Sequence, residues 1–557
     1  MSKEKNWLEL SYEYALDNAI SHDGKANSGA ILGRLFAEGL KKEQIKEVMP
    51  VINEQIKKVN SMKLEAQVKE FEQFKQKFLK LQKEKEEKSE KKDLPDIEFK
   101  GKIITRLAPE PSKYNHYGHA MSFLINYLYS VKYKGKCKMR FEDTNPEKVS
   151  QEYVDAMKED LLEYLGIKIE GKIRYVSDDM PKMYRHAETL IKNKNAYMCF
   201  CSRDKLKDLR EKGLECSCRQ QEVKKNLSEW KSFLKGKYMK GQASLRLKGN
   251  MGSSNYVMRD PVIFRAVPQE HFRHKKKYKI WPMYDFYNPI EDSLMGITHI
   301  FRTNEFDMRV ELQNYIKKLL KLKTQVITQY GRINIEGSKS QGREIRELVE
   351  SGKYTGWDDP RLPTLKALKR RGILKETLYQ LAKTVGFSKY QVNMNFDMIA
   401  AINRKLIDQT ARRFFFIESP VKLEIKNKPP IQEVDVRVHP DSEETRRIKI
   451  GNDLYIANKD FLENKDREVR LMHLFNVDLK KKVFTSEENK EIPRLQWVSD
   501  FVKVRIFMDN AEWKEGIAES EIKKVKIGDI IQFERFGFCK LDKKNESGEF
   551  EFWFSHY

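Results

Sequence analysis

The sequence predicts a multidomain chain: an α-helical N-terminal extension, an α/β domain on a parallel sheet, a helical connector and an all-β C-terminal part. Three observations predict it. Apolar residues of the N-terminal stretch recur at helical spacing. KIITRLA, AMSFLINYLYSV and CKMRFED read in order as strand, helix and strand. After Phe416, short alternating segments stand between turn residues. With 557 residues the chain is too long for one ordinary domain.

Residues 1–95 form the expected extension with a charged linker. Trp7, Leu8, Leu10, Tyr14, Ala15 and Ala19 crowd one helix face, and ANSGAILGRLF supplies a turn and a second helix. A heptad-like seam follows: Leu64, Val68, Phe71, Phe74, Phe78 and Leu81. It packs within the chain or docks a partner protein. KEKEEKSEKK then reads as a solvated helix end or linker.

Residues 96–198 open the α/β domain, whose βαβ unit implies a sheet of the nucleotide-binding type. Residues 199–276 read as an inserted segment with a cysteine cluster, and 277–345 as the second half of the α/β domain. Residues 346–412 are the connector, with periodic leucines and arginine pairs. FVKVRIFM, GDIIQFERFGFCKLD and EFEFWFSHY make 413–557 all-β, a sandwich or barrel.

No run of about 18 apolar residues occurs, so no transmembrane helix is expected. MSKEKNWLEL lacks the apolar stretch of a signal peptide. A soluble, cytoplasmic protein is expected. Lys plus Arg number 107 against 83 acidic residues, a net charge of +24. That excess fits a polyanionic partner or a lysine-rich proteome.

Four of the six cysteines cluster as Cys199-x-Cys201 and Cys216-x-Cys218. Two close thiolate pairs suit tetrahedral Zn²⁺, a staple for a segment too small to bury much core. The alternative is reduced, partly buried thiols. Cys137 and Cys539 read as ordinary buried cysteines.

TRLAPEPSKYNHYGHAMSF places His116 and His119 around Gly118, where a strand ends and a helix begins. Two prolines stiffen the turn, Gly118 allows close approach, and a helix N-terminus attracts anions. The histidines either cap the helix or donate hydrogen bonds to nucleotide phosphates.

This stretch resembles the HIGH signature of class I aminoacyl-tRNA synthetases. RFEDTNPEK, YVMRDPVIFRA, MYDFYNPIEDSLMGITHIFRTNEF and the highly specific GWDDPRLPT are similar to the glutamyl/glutaminyl branch. YALDNAISHDGKANSGAILG is similar to the extension of archaeal glutamyl-tRNA synthetases, and WVSDFVKVRIFM and IGDIIQFERFGF to their C-terminal barrels. The resemblance covers essentially the whole chain. It departs from the signature at Tyr117, Lys113 and Asn115.

The resemblance implies a Rossmann-type catalytic domain with an acceptor-binding insertion and β-barrels that bind the anticodon. It implies ATP with Mg²⁺, L-glutamate and tRNA(Glu), with tRNA(Gln) a further candidate. His116, Gly118 and His119 would bind ATP, with His116 and His119 catalytic. Arg302 would engage the substrate carboxylate, because glutaminyl members carry a neutral residue there and a glutamate pocket needs a forked cation. Arg106 would be a second carboxylate partner, Glu142 would hold the α-ammonium, and Tyr284 and Asn288 would line the pocket.

The resemblance also implies a mobile lysine loop. Ser338, Lys339 and Ser340 match its core, with Ser338 and Lys339 on ATP and Lys339 catalytic. The family spacing from GWDDP lands near Gly342, so Arg343 is the other candidate cation. HFRHKKKYK at 271–279 and LKALKRRG at 365–372 would meet tRNA phosphates, and Arg535, Phe536 and Phe538 would read unstacked bases. The rival readings are a glutaminyl-tRNA synthetase and a catalytically weakened tRNA-binding paralogue.

Overall fold

The computed structural model describes residues 6–20, 24–38, 40–90, 94–97, 101–337, 342–385, 388–546 and 548–557. The chain divides into two compact units, Met1–Asp93 and Leu94–Tyr557.

The first unit has the helices Trp7–Ile20, Ser28–Ala37, Ile45–Asn60 and Leu64–Glu90. Tyr14, Leu16, Ile31, Leu35, Ile52 and Val59 form its core, and Phe71, Phe74 and Phe78 pack on it. Phe78 stands edge-on to Tyr14 at 5.7 Å. The expected seam begins later than its pattern suggests: Leu64 and Val68 are 45% and 44% exposed. Their turn gives its inner face to buried Gln67, whose Nε2 donates to the carbonyls of Val59 (2.9 Å) and Gly24 (3.0 Å). Carbonyls at a helix end need such donors. Leu8 also faces out, and the side chain of Leu81 lies outside the described ones. The backbone stays helical through the charge run to Glu90.

In the second unit, strands Arg174–Tyr175, Lys136–Phe141 and Ile104–Leu107 pair in parallel in that order. His299–Thr303 and Val326–Tyr330 form a second parallel pair. The Thr298 amide donates to the Ile104 carbonyl at 2.9 Å, joining the two sets edge to edge. The chain therefore winds outward one way from Ile104–Leu107 and then resumes on its other side. Ligands of open α/β sheets bind at such a reversal, beyond the carboxyl ends of the strands. The helix Tyr117–Lys132 locks it, with Asn126 Nδ2 donating to the Phe301 carbonyl at 2.8 Å.

The insertion carries an antiparallel sheet of Ala196–Cys199, Ser244–Leu247, Val262–Ala266 and Ile280–Pro282. It reaches past both ends of the 199–276 span, because the outer strands belong to the flanking chain. Trp230, Phe233 and Phe264 fill its core. The connector holds the helices Leu365–Arg371, Lys375–Val385 and Phe396–Ile407. It also holds an unforeseen strand, Val392–Met394, parallel to Ile333–Ile335. The β part has two cores, one around Phe415, Val469 and Trp497, the other around Val504, Phe533 and Phe552. No helix among the described residues is long and apolar enough to cross a membrane.

Several residues expected on the tRNA surface are instead tied into the fold. His271 is buried with Nε2 2.8 Å from the Asp143 carbonyl, and His274 Nε2 lies 3.1 Å from Ser177 Oγ. Arg273 forks onto Asp178 at 2.9 and 3.1 Å and lies over Tyr175. Lys275, Lys276, Lys277 and Lys279 stay exposed. Arg370 and Arg371 serve the joint between connector and β part, Arg370 by forking onto Asp542 at 3.0 and 2.8 Å. Phe538 is fully buried, packed with Ile407 and Ala411 on the face opposite Cys539 and Leu541, so it cannot stack on a base. Phe536 is half-buried, edge-on to Phe416 at 5.1 Å. Arg535 is exposed and faces Asp460 at 3.7 Å.

Candidate active site

A cleft of about 340 Å³ opens where the strand order reverses. Arg106 enters it from the first strand, Glu142 from just past the second, and Arg302 from the strand His299–Thr303. Tyr284, His119, Lys113 and Phe306 complete its walls.

Behind the cleft runs a buried ionic row. Asp292 accepts from Arg106 Nε at 3.2 Å and from Arg140 Nη1. Arg140, fully buried, donates through Nη2 to Glu142 Oε1 at 2.9 Å. Asn288 Nδ2 and the Tyr287 hydroxyl also donate to Glu142, at 3.2 and 3.3 Å. Burial pushes the Asp292 carboxyl up, but Arg140 and Arg106 outweigh it and hold it below the usual carboxylate range. Glu142 is thus fixed as an aimed acceptor. Asn288, 1% exposed, stands behind Glu142 rather than on the cleft wall.

Arg302 is 6% exposed and lies over the Phe306 ring. Nη1 donates to Gln313 Oε1 at 3.0 Å, while Nε and Nη2 have no hydrogen-bond partner among the described residues. Burial depresses its pKa. Buried donors left unmet destabilise a fold by about 1–3 kcal/mol each, a cost that an acceptor meeting this edge of Arg302 would relieve.

His116 caps the helix Tyr117–Lys132. Its Nδ1 accepts from the His119 amide and His119 Nδ1 accepts from the His116 amide, each at 3.3 Å. The rings stack at 3.7 Å. With both Nδ1 atoms used as acceptors, the ring protons sit on Nε2. Burial, then Lys113, depresses His116 to about 3, and burial, then His116 and Lys113, holds His119 well below its usual value. Both are neutral donors at neutral pH. Capping and donation are therefore compatible: the cap uses Nδ1 and leaves Nε2–H. Gly118 makes room for the stack, since a Cβ there would lie 3.0 Å from the His116 ring.

The departures from the signature do structural work. The Tyr117 hydroxyl donates to the Met394 carbonyl at 3.2 Å, and Asn115 Nδ2 donates to Asp160 at 3.1 Å. The Lys113 stem lies against Gly342, at the start of the helix Gly342–Glu350. The GWDDPRLPT segment docks on this turn through Tyr117 N–H to Pro363 O (3.1 Å) and Leu365 N–H to Asn115 O (2.9 Å). Ser338, Lys339 and Ser340 lie outside the described residues, as does the Arg343 side chain.

The four cysteines meet. Their Sγ atoms all lie within 4.8 Å of one another, with Cys199–Cys216 at 3.8 Å and Cys201–Cys218 at 3.9 Å. A thiolate tetrahedron with Zn–S of about 2.3 Å has edges of about 3.8 Å, so the donor set fits that ion. Arg246 Nη1 lies 3.9 and 3.8 Å from Cys199 and Cys216. A hydrogen bond from Cys199, then the Tyr197 hydroxyl and Arg246, lower the Cys216 thiol to about 5 against the effect of burial.

Sequence reasoning did not single out Arg140, Tyr287, Asp292 or Gln313. A signal was present for two of them. RFED spaces Arg140 and Glu142 two residues apart at a strand end, and NPIED puts Asn288 and Asp292 on one face of a helix.

Comparison with known proteins agrees with this geometry. The family model "tRNA synthetases class I (E and Q), catalytic domain" matches residues 102–409, and two anti-codon binding domain models of the same family match 411–499 and 473–542. The glutamate–tRNA ligase of Pyrococcus furiosus is 37% identical over 561 residues, spanning 96% of this chain and 97% of that one. Those of Korarchaeum cryptofilum and Methanocaldococcus jannaschii are each 36% identical, spanning 96% of this chain and 98% and 97% of their own. The chain belongs to the class I glutamyl/glutaminyl tRNA synthetase family.

Proposed function

We propose that this chain is a glutamate–tRNA ligase acting in the cytoplasm. It activates L-glutamate with ATP, Mg²⁺ accompanying the nucleotide, and passes the glutamyl group from the adenylate to the 3′ end of tRNA(Glu). The observation that carries the reading is the buried, half-free guanidinium of Arg302 in the cleft. A neutral amide would leave that charge unanswered, whereas a carboxylate meets it with two oxygens. Arg106 is the second carboxylate partner, Glu142 receives the α-ammonium, and Tyr284 lines the pocket, with Asn288 acting through Glu142.

His116 and His119 donate Nε2–H to the ATP phosphates as charge builds, and Gly118 lets their rings stack. Lys339, with Ser338, supplies a cation to the ATP phosphates, and Arg343 is the alternative. Positioning and electrostatics carry both steps, so no covalent enzyme intermediate is required. Cys199, Cys201, Cys216 and Cys218 hold a structural Zn²⁺. The test is charging of purified tRNA(Glu) and tRNA(Gln) with labelled glutamate and glutamine. The expected result is esterified glutamate on tRNA(Glu), and charging of tRNA(Gln) as well would extend the range. Esterified glutamine, or tRNA binding without charging, would contradict the reading.

A further inference from the structure

A buried guanidinium that must stay both aimed and charged needs an anchor that does not neutralise it. Arg302 Nη1 donates to Gln313 Oε1 at 3.0 Å, and Gln313 Nε2 donates to Asp285 Oδ1 at 3.2 Å. Asp285 is itself paired with Arg309. Gln313 is 2% exposed, on the helix Asp307–Leu320. Its amide orientation follows from its neighbours. A guanidinium only donates and a carboxylate only accepts, so Oε1 faces Arg302 and Nε2 faces Asp285. The acid of this chain is thereby held one side chain away from Arg302 and is already matched by Arg309. A carboxylate at position 313 would bind Arg302 more strongly and cancel the charge that faces the cleft.

We propose that Gln313 is a positioning residue for acid specificity: it anchors Arg302 through a neutral oxygen, leaving Nε and Nη2 free and the full charge available to the substrate's side-chain carboxylate. The inference rests on the reading of Arg302 as the partner of that carboxylate.

The experiment is ATP–pyrophosphate exchange by the full chain with tRNA present, varying glutamate, glutamine and ATP in turn, with thermal midpoints measured alongside. Gln313→Glu is expected to raise the KM for glutamate about tenfold or more and to narrow the preference over glutamine, with the KM for ATP within about twofold. Gln313→Met keeps the volume without the charge. It is expected to raise the glutamate KM by about threefold without narrowing the preference. A Gln313→Glu enzyme with unchanged glutamate KM and preference overturns the proposal. Should that variant not fold, an unchanged glutamate KM in Gln313→Met overturns it. Arg302→Ala separates the two levels. If it leaves the glutamate KM at the parent value, the reading of Arg302 fails. If it raises the KM while Gln313→Glu does not, only the role of Gln313 fails.

Discussion

Arg302 and Arg371 are both buried guanidinium groups, 6% and 4% exposed, and the structure treats them in opposite ways. In the joint between connector and β part, Arg371 spends every nitrogen: Nε on Phe554 O (3.3 Å), Nη1 on Pro360 O (3.0 Å) and Nη2 on Ser555 O (2.7 Å). Its plane lies over Phe396 at 4.0 Å. In the cleft, Arg302 has one neutral partner and two nitrogens left over among the described residues. A saturated arginine of this kind holds a fold together; Arg302 differs in lining a cleft with two nitrogens unpaired.

The strongest way to break this contrast is Arg302→Ala. Losing a forked, charge-assisted contact is expected to lower kcat/KM for glutamate by about a hundredfold or more, with little change in thermal midpoint. Arg371→Ala should do the reverse. Three carbonyls lose their donors, so urea unfolding should show a loss of about 2 kcal/mol or more, while the glutamate KM of the folded protein stays put.

A buried acid sharpens the same point. Glu291 is fully buried, neither carboxylate oxygen has a hydrogen-bond partner among the described residues, and Arg174 stands 3.5 Å away. Burial raises its pKa to about 8 against the partial offset of Arg140. A carboxyl with a raised folded-state pKa stabilises the fold when protonated, and that stability is lost as pH rises toward the folded value. Unfolding free energy measured from pH 5 to 8 should fall by on the order of 1 kcal/mol per pH unit from this group, and Glu291→Gln should flatten the slope. The smallest expected effect is Tyr117→Phe. It removes one hydrogen bond to a backbone carbonyl and should cost about 1 kcal/mol in urea unfolding, with charging intact.

The sequence shows these differences unevenly. The parallel sheet, the helix after the histidines, the cysteine pairs and the all-β end are all carried by local pattern, so they could be read directly. Arg106, Glu142 and Arg302 stood out through the family resemblance rather than through local pattern, and their side chains line one cleft. What could not be read is how far a side chain is satisfied. HFRHKKKYK and LKALKRRG look alike as basic runs, yet Arg273, Arg370 and Arg371 are consumed by acids or carbonyls distant in sequence. Gln313 and Asp292 matter through partners on other elements, and no spacing rule reports those. The strand Val392–Met394 exists because Ile333–Ile335 offers it an edge, a pairing across the fold that local pattern does not carry. Gln67 broke the heptad seam because a polar side chain can win an inner position when backbone carbonyls need its amide.

The central claim is that the unpaired edge of Arg302, beside Tyr284, receives the acidic end of the amino acid. Its most direct test is a crystal structure of this chain with a non-hydrolysable glutamyl-adenylate analogue. The account predicts the side-chain carboxylate about 3 Å from Arg302 Nε and Nη2, with Nη1 still on Gln313. A carboxylate bound elsewhere, with Arg302 turned from the cleft, would contradict it.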